Sequence, residues 1–147
     1  MDEAVERQVL ELLAQHRIMT VATNRADGWP RATTVGYVND GLTLYFLCRP
    51  QRQKATNLAR DDRVSLTIDH DTTDPMAITG LSMAAHARLV ADAAEVTKTL
   101  ELLRYRYPEY AGFPIQPEEI HVYRVSPKVI SVLDYTKGFG HSELVVL

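Results

Sequence analysis

Apolar side chains recur with two different spacings along this chain, and each spacing predicts one type of element. Val5, Val9, Leu12 and Leu13 repeat at helical intervals, so residues 3–16 are predicted to form an amphipathic helix with Asp2 as its N-cap. After this helix the spacing changes towards alternation, with many β-branched residues. The predicted strands are, in chain order, 18–24, 33–38, 42–47, 64–69, 76–90, 120–126 and 129–135.

Turn residues join most of these strands as hairpins. Residues 27–28 and 39–41 each end in a glycine, which supplies the positive φ that a tight hairpin needs. Gly80 predicts a bulge or a bend in the long fifth strand, and Pro127 predicts a corner between the last two strands. Gly36 lacks a side chain, so it predicts that another group approaches the second strand closely.

Two further helices are predicted outside the strands. Residues 51–60 follow Pro50, and residues 92–106 begin with a capping box of Asp92 and Glu95. Six or seven strands in hairpin order, with about three peripheral helices, predict a mainly β (α+β) fold in a single domain, residues 1–147. Closure into an antiparallel barrel is expected because it removes the edge strands.

Composition narrows the function classes. The chain has 16 basic and 19 acidic residues, so it lacks the positive field that gathers nucleic acid. Its one cysteine, Cys48, excludes an internal disulfide and a Cys-based zinc site, and the five histidines lack a chelating spacing. An acidic N-terminal segment unlike a signal peptide, and the lack of a long apolar run, lead us to expect a cytoplasmic protein without membrane contact.

The segment after the third strand carries the clearest candidate chemistry. Arg49, Arg52 and Lys54 lead into the start of a helix, where free N–H groups and the helix dipole also favour an anion. Guanidinium forks and an ammonium group suit the oxygens of a terminal phosphate. The alternative interpretation is a solvated helix start whose cations pair with Asp61 or Asp62.

The order of these features resembles a known family. The following features succeed one another within residues 22–69: an Asp-Gly turn, a strand, an Asn-Asp-Gly turn, a strand, a cationic loop with Lys54, an Asn-Leu helix and an RVSL strand. This set is similar to the pyridoxamine 5'-phosphate oxidase-like, FMN-binding split β-barrels, and the likeness in element order covers nearly the whole chain. It implies a six- to seven-stranded antiparallel split β-barrel and an FMN-dependent oxidoreductase. It also implies a homodimer with the cofactor at the subunit interface and a small-molecule or electron-carrier substrate.

The resemblance also implies a set of cofactor-binding residues. Lys54 matches the phosphate lysine, and Arg49 or Arg52 supplies the charge that the family often takes from an arginine at the position of Gln53. The C-terminal tail resembles a subgroup of unassigned activity and is expected to reach the flavin of its own or the partner subunit. The complete set is Arg31, Ala32, Thr33, Thr34, Val35, Leu47, Cys48, Arg49, Arg52, Gln53, Lys54, Lys137, Phe139 and His141.

Several alternatives stay open at the level of sequence. The hydroxyls of Thr33 and Thr34 either contact a flavin or only favour a strand, and Cys48 is either a redox thiol or an apolar filler. The same barrel also suits a non-catalytic protein that binds flavin, F420 or haem. A barrel for single-stranded nucleic acid is disfavoured by the acidic balance and by the lack of an aromatic stripe on adjacent strands. No residue is assigned as a catalytic acid or base.

Overall fold

The computed structural model describes residues 2–110, 112 and 116–147. In these residues there are three α-helices: α1 (Glu3–Gln15), α2 (Gln53–Arg60) and α3 (Ala93–Arg106). There are eight strands: β1 (Ile18–Asn24), β2 (Pro30–Gly36), β3 (Val38–Asp40), β4 (Thr43–Cys48), β5 (Arg63–Asp69), β6 (Thr79–Leu89), β7 (His121–Asp134) and β8 (Ser142–Val146). None of the helices in the described ranges is both long and apolar enough to cross a membrane.

The strands form one antiparallel sheet in the order β2-β1-β5-β6-β7-β4-β3, and β8 pairs with the second half of β7. Tyr37 alone joins β2 to β3, although these two strands lie at opposite ends of that order. The sheet must therefore curl until its two ends meet, which leaves a split between β2 and β4. The predicted mainly β split barrel with three helices is confirmed, and the C-terminal tail adds β8 to the predicted strands.

The barrel interior and α1 share one apolar core. Val9, Leu12 and Leu13 of α1 are buried in the same cluster as Phe46 of β4. The Tyr37 hydroxyl donates to the carbonyl oxygen of Leu13 at 2.7 Å. Burial raises the pKa of Tyr37 to about 12, so the phenol stays neutral and keeps this hydrogen bond across the physiological range.

A second, smaller core lies under α3. Asp92 caps this helix as predicted by accepting from the backbone N–H of Ala94 at 3.3 Å. Glu95 has a different role from the predicted capping-box partner, because its carboxylate accepts from the Tyr45 hydroxyl at 2.9 Å and from Arg124 Nη1 at 2.7 Å. The Arg124 guanidinium lowers the pKa of Glu95. This ion pair fixes the first turn of α3 against β4 and β7.

The structure differs from the sequence predictions at two points along the strands. The expected corner at Pro127 does not divide the chain, because β7 continues through it. Pro127 lies opposite Ala85, where the register between β6 and β7 shifts between Ala84 and Ala85. Proline has no N–H to donate, so it is tolerated where the ladder is already irregular. The bulge thus lies at this shift, whereas Gly80 keeps regular pairing with Asp69 and Leu133.

Gly80 has a different role, which the prediction had given to Gly36. A Cβ atom at Gly80 would lie 2.7 Å from the backbone oxygen of Ile68 on the neighbouring strand. A Cβ at Gly36 would meet only the Arg17 backbone oxygen, at an ordinary 3.8 Å. The close backbone approach therefore occurs at Gly80, between β5 and β6.

A Gly80→Ala substitution is expected to lower the free energy of unfolding by about 1–3 kcal/mol, because the added methyl group displaces strand backbone. Gly36→Ala is the matched control, with an expected change within about 0.5 kcal/mol. Urea denaturation of the two variants and the parent protein measures both effects. Equal free energies of unfolding for the two variants would show that the β5–β6 contact adjusts to the added methyl group without loss of stability.

Candidate functional site

A cavity of about 330 Å³ lies at the split between β2 and β4. Its walls come from the end of β1, one face of β2, the end of β4, and the loop that leads into α2 together with the first residues of that helix. The lining residues are Thr23, Arg31, Thr33, Val35, Leu47, Cys48, Arg49, Arg52, Gln53 and Lys54. Nine of the fourteen predicted cofactor-binding residues are therefore brought together here, and Thr23 joins them.

The alternation of β2 divides the predicted residues of this strand between two sides. Arg31, Thr33 and Val35 line the cavity, whereas Ala32 and Thr34 are exposed on the opposite face. Among the described strands β2 pairs with β1 alone. The backbone N–H and C=O groups along the other edge of β2 therefore face the split and are available to a ligand.

The charge of the cavity is positive and unbalanced. Arg31, Arg49, Arg52 and Lys54 all line it, and within the described part of the chain none of them lies within 4.0 Å of a carboxylate. Like charges held close together repel one another in the absence of an anion. The arrangement is therefore suited to receive an anionic group.

The competing interpretation assigned Asp61 or Asp62 to these cations. Asp61 instead pairs with Arg63 at 2.9 Å, and the hydrogen bonds from Arg63 hold the pKa of Asp61 well below its usual range. Asp62 accepts from Arg88 Nε at 2.7 Å and lies 2.7 Å from the Nδ1 atom of His86. Both carboxylates are occupied elsewhere, so the predicted pairing of these cations with Asp61 or Asp62 is wrong.

The N-terminus of α2 adds to this positive end. Arg52 occupies the N-cap position, and neither a side-chain cap hydrogen bond nor an acidic first-turn residue is present in this described helix. The first N–H groups of a helix have no partner within the helix and carry the positive end of its dipole. The Ala55 N–H donates to the Arg52 carbonyl oxygen at 3.0 Å, which leaves the N–H groups of Gln53 and Lys54 for the same anion as the four side chains.

A buried polar chain holds α2 in place, and sequence reasoning missed it. Gln53 Nε2 donates to Asn57 Oδ1 at 2.9 Å, and Asn57 Nδ2 donates to Thr23 Oγ1 at 3.0 Å. Asn57 and Thr23 are each only 1% exposed. An asparagine on the apolar side of a short helix was the available signal, since a buried amide must find hydrogen-bond partners.

The other end of the cavity is less charged. Val35 and Leu47 contribute apolar surface there. The Thr33 hydroxyl oxygen is buried and, alone among the buried side-chain polar atoms of the described residues, has no hydrogen-bond partner. Because buried polar groups are normally paired, this hydroxyl is a candidate contact for a polar atom of a ligand.

Cys48 is a packing residue in this arrangement. Its thiol donates to the backbone oxygen of Arg49 at 3.3 Å, and it is 7% exposed. Burial raises the pKa of Cys48 above its ordinary value of 9.0, although the nearby Lys54 acts in the opposite direction. The thiolate, which is the reactive form, is therefore scarce at neutral pH.

Within one chain the C-terminal tail lies away from the cavity. β7 begins beside Cys48, and it ends at Asp134, whose N–H donates to the backbone oxygen of His141 at 3.0 Å. Lys137 Nζ and His141 Nε2 lie 3.4 Å and 3.3 Å from Glu143 Oε1, and Phe139 is 79% exposed. The length of a 14-residue strand thus separates this part of the predicted site from the cavity.

Two histidines that are far apart in the sequence are neighbours in the structure. His16 Nε2 lies 3.0 Å from His70 Nδ1, and His16 Nδ1 donates to the Leu12 carbonyl oxygen at 2.7 Å. This pair links the end of α1 to the end of β5 and lies outside the cavity. No group of three or more His, Cys, Asp or Glu side chains in the described ranges is arranged to hold a metal ion.

Comparison with solved structures shows the same fold in several bacterial proteins. A haem-binding protein from Mycobacterium smegmatis matches with a TM-score of 0.82 and 18% identity, over 99% of this chain and 59% of that one. The haem storage protein HutZ from Vibrio cholerae matches with a TM-score of 0.71 and 19% identity, over 96% and 93%. A conserved hypothetical protein from Mycobacterium tuberculosis matches with a TM-score of 0.76 and 25% identity, over 93% and 87%.

Sequence comparison identifies the family. No curated protein matches the sequence significantly. The family model described as pyridoxamine 5'-phosphate oxidase matches residues 5–134, which include every strand of the barrel except β8 and all of the cavity. The chain therefore belongs to the pyridoxamine 5'-phosphate oxidase family.

Proposed function

We propose that this protein is an FMN-binding oxidoreductase that acts on a small molecule or an electron carrier. One observation carries the proposal: four cations without carboxylate partners and the open N-terminus of α2 converge on one cavity. The terminal phosphate of FMN is a dianion, and its oxygens suit guanidinium forks and a lysine. Family membership supports the same cofactor.

The rest of the cavity fits the ring system of a flavin. Val35 and Leu47 offer apolar contact, while the free edge of β2 offers backbone donors and acceptors to the polar edge of the ring. The partnerless hydroxyl of Thr33 suits a ring carbonyl or nitrogen. Bound FMN supplies the electron transfer, and the residues of this chain bind the phosphate, orient the ring and set its polarity.

Haem is an alternative cofactor that the structural relatives suggest, since two of them bind or store it. Haem iron in proteins is commonly held by histidine, methionine, tyrosine or a cysteine thiolate. The cavity lining contains no histidine, methionine or tyrosine among its described residues, and burial keeps the Cys48 thiol protonated. The donor set therefore favours a flavin over haem, whereas F420, a deazaflavin with a phosphate, suits the same cations.

We further propose that the protein is a cytoplasmic homodimer, joined through the side of the sheet that carries Ala32 and Thr34. The register places two rows of uncharged side chains across six strands of this side, which is here termed the outer face. Its twelve residues are Ala32, Ala22, Ser65, Ala84, Val129 and Val146 in one row, and Thr34, Thr20, Thr67, Ser82, Ser131 and Leu144 in the other.

A second copy of the chain is the expected occupant of the outer face. Leu144 and Val146 are 70% and 73% exposed, so apolar side chains lie at its β8 edge. β2 supplies both the outer face and a wall of the cavity through alternate residues. A second copy on this face would therefore lie beside the ligand, and the tail of that copy would have access that the tail of the same chain lacks.

Size-exclusion chromatography with light scattering and visible absorbance tests these proposals on one sample. We expect flavin absorbance to elute with a particle of twice the 16.6 kDa chain mass. Mass spectrometry of the ligand released by denaturation is expected to give a flavin nucleotide. The mass of haem or F420 would show that the cofactor is not a flavin nucleotide. A colourless protein that takes up no added FMN would contradict the oxidoreductase proposal. A particle of monomer mass would contradict the proposed dimer.

The phosphate assignment predicts a selective loss of affinity in the double variant Arg52→Ala/Lys54→Ala. Its Kd for FMN is expected to rise by about 100-fold or more, because two charge-assisted contacts are lost. Its Kd for riboflavin, which lacks the phosphate, is expected to change little. Fluorescence titration of the flavin-free protein measures both constants.

The matched control for this loss is Arg7→Ala/Arg104→Ala, which removes the same amount of charge from exposed positions on α1 and α3. This control is expected to keep the parent affinity for FMN. Equal weakening in both double variants would indicate a general charge effect, and unchanged FMN affinity in Arg52→Ala/Lys54→Ala would show that the phosphate binds elsewhere.

Cys48 is expected to react slowly with iodoacetamide at neutral pH, because its raised pKa leaves little thiolate. Because the pKa lies above 9.0, the thiolate fraction, and with it the rate, is expected to rise about tenfold per pH unit from neutral pH and to level off only above pH 9.0. Denatured protein is the control and is expected to react at the rate of a free thiol. Rapid labelling of the native protein at neutral pH would contradict the role of Cys48 as a packing residue.

A further inference from the structure

Trp29 is an exposed aromatic residue that folding does not explain. It is the only tryptophan in the chain and is 70% exposed, between the β1–β2 turn and the start of β2. Arg31, which lines the cationic end of the cavity, follows two residues later. A large aromatic side chain in this position is available for contact with a ligand.

The backbone around Trp29 is well fixed. The Trp29 N–H donates to Asp27 Oδ1 at 3.0 Å, and the Trp29 carbonyl oxygen accepts from the Arg25 N–H at 2.9 Å. Arg25 Nη2 in turn lies 2.9 Å from Asp27 Oδ2. The β1–β2 ladder thus continues beyond the Asn24–Pro30 pair, and the hairpin presents the indole from a rigid turn.

The pleat of β2 places Trp29 beside the cationic end. Alternate residues of a strand share a face, and Arg31, Thr33 and Val35 all line the cavity. Position 29 continues this row, about 7 Å beyond Arg31 at the usual rise of a strand. Since Val35 lies at the other end of the row, Trp29 is separated from the apolar end of the cavity by the whole phosphate region.

A ligand that reaches Trp29 must extend beyond its first phosphate. FMN ends at that phosphate, whereas a dinucleotide continues into a second phosphate, a ribose and an adenine. The three guanidinium groups of Arg31, Arg49 and Arg52 carry more N–H donors than the oxygens of one phosphate can accept. The cationic end therefore has donors left for a second phosphate.

We infer that the flavin site continues past the phosphate and accepts the adenosine half of FAD, with the adenine stacked on Trp29. This inference rests on the proposed flavin function. The face of an indole suits any nucleic-acid base, because stacking needs only a π-surface and no specific hydrogen bonds. The pyrophosphate lies between the arginines and the start of α2, and the isoalloxazine occupies the same apolar end as in FMN.

Affinity measurements with FMN and FAD on the flavin-free full-length protein test this inference. The parent protein is expected to bind FAD about 10-fold more tightly than FMN, which is the lower range of one stacked base. Trp29→Ala is expected to remove this difference while the Kd for FMN stays within about twofold of the parent value. Trp29→Phe keeps an aromatic face and is expected to retain most of the preference for FAD.

ADP gives a second readout that needs no flavin. Because Trp29 is the only tryptophan, quenching of the intrinsic tryptophan fluorescence by ADP, with inorganic pyrophosphate as the control, reports contact between adenine and the indole. Normal FMN binding with no preference for FAD, or a preference that survives in Trp29→Ala, would overturn the inference alone. Failure of the parent protein to bind any flavin would overturn the proposed function as well. If Trp29→Ala dissociates a dimer but keeps the parent affinity for FAD, Trp29 belongs to a subunit contact and the inference is wrong.

Discussion

The arrangement of this protein depends on one strand that has a partner on only one side. β2 pairs with β1, and after Tyr37 the chain continues as β3 at the other end of the sheet. Tyr37 anchors the chain at this crossing, because its N–H donates to the Arg17 oxygen at 3.1 Å and its hydroxyl donates to the Leu13 oxygen. The split leaves a cavity at a place that a continuous sheet would fill with side chains. One wall of this cavity is the free backbone edge of β2.

Positive charge concentrates at this opening because the acidic residues nearby are used elsewhere. Asp61 and Asp62 end α2 and bind Arg63, His86 and Arg88, so they stabilise the connection to β5 and β6 and leave the cations of the loop unpaired. The Gln53–Asn57–Thr23 chain fixes α2 against β1 before any ligand arrives. Such preorganisation reduces the ordering cost of binding and so preserves affinity for an anion.

Local patterns in the sequence were enough for most of the fold and for the position of the cavity. Alternation and helical spacing predicted β1, β5 and the three helices, and the cations of residues 49–54 were brought together because they are close in sequence. The errors came from contacts between distant residues. The continuity of β7 through Pro127 depends on a register shift in its pairing with β6. The role of Gly80 depends on Ile68, and the partners of Glu95 come from β4 and β7. Asn57 and Thr23 are 34 residues apart, so no local pattern could pair them.

The alternation of β2 also connects ligand binding to the assembly of subunits in the proposed dimer. Residues 31, 33 and 35 belong to the cavity, and residues 32 and 34 belong to the outer face, so a shift of the strand moves both surfaces together. A ligand that hydrogen-bonds to the free edge of β2 fixes the backbone that both surfaces share. A second copy on the outer face restrains the same backbone from the other side. Each event therefore lowers the ordering cost of the other, which is positive coupling without any hinge or lid.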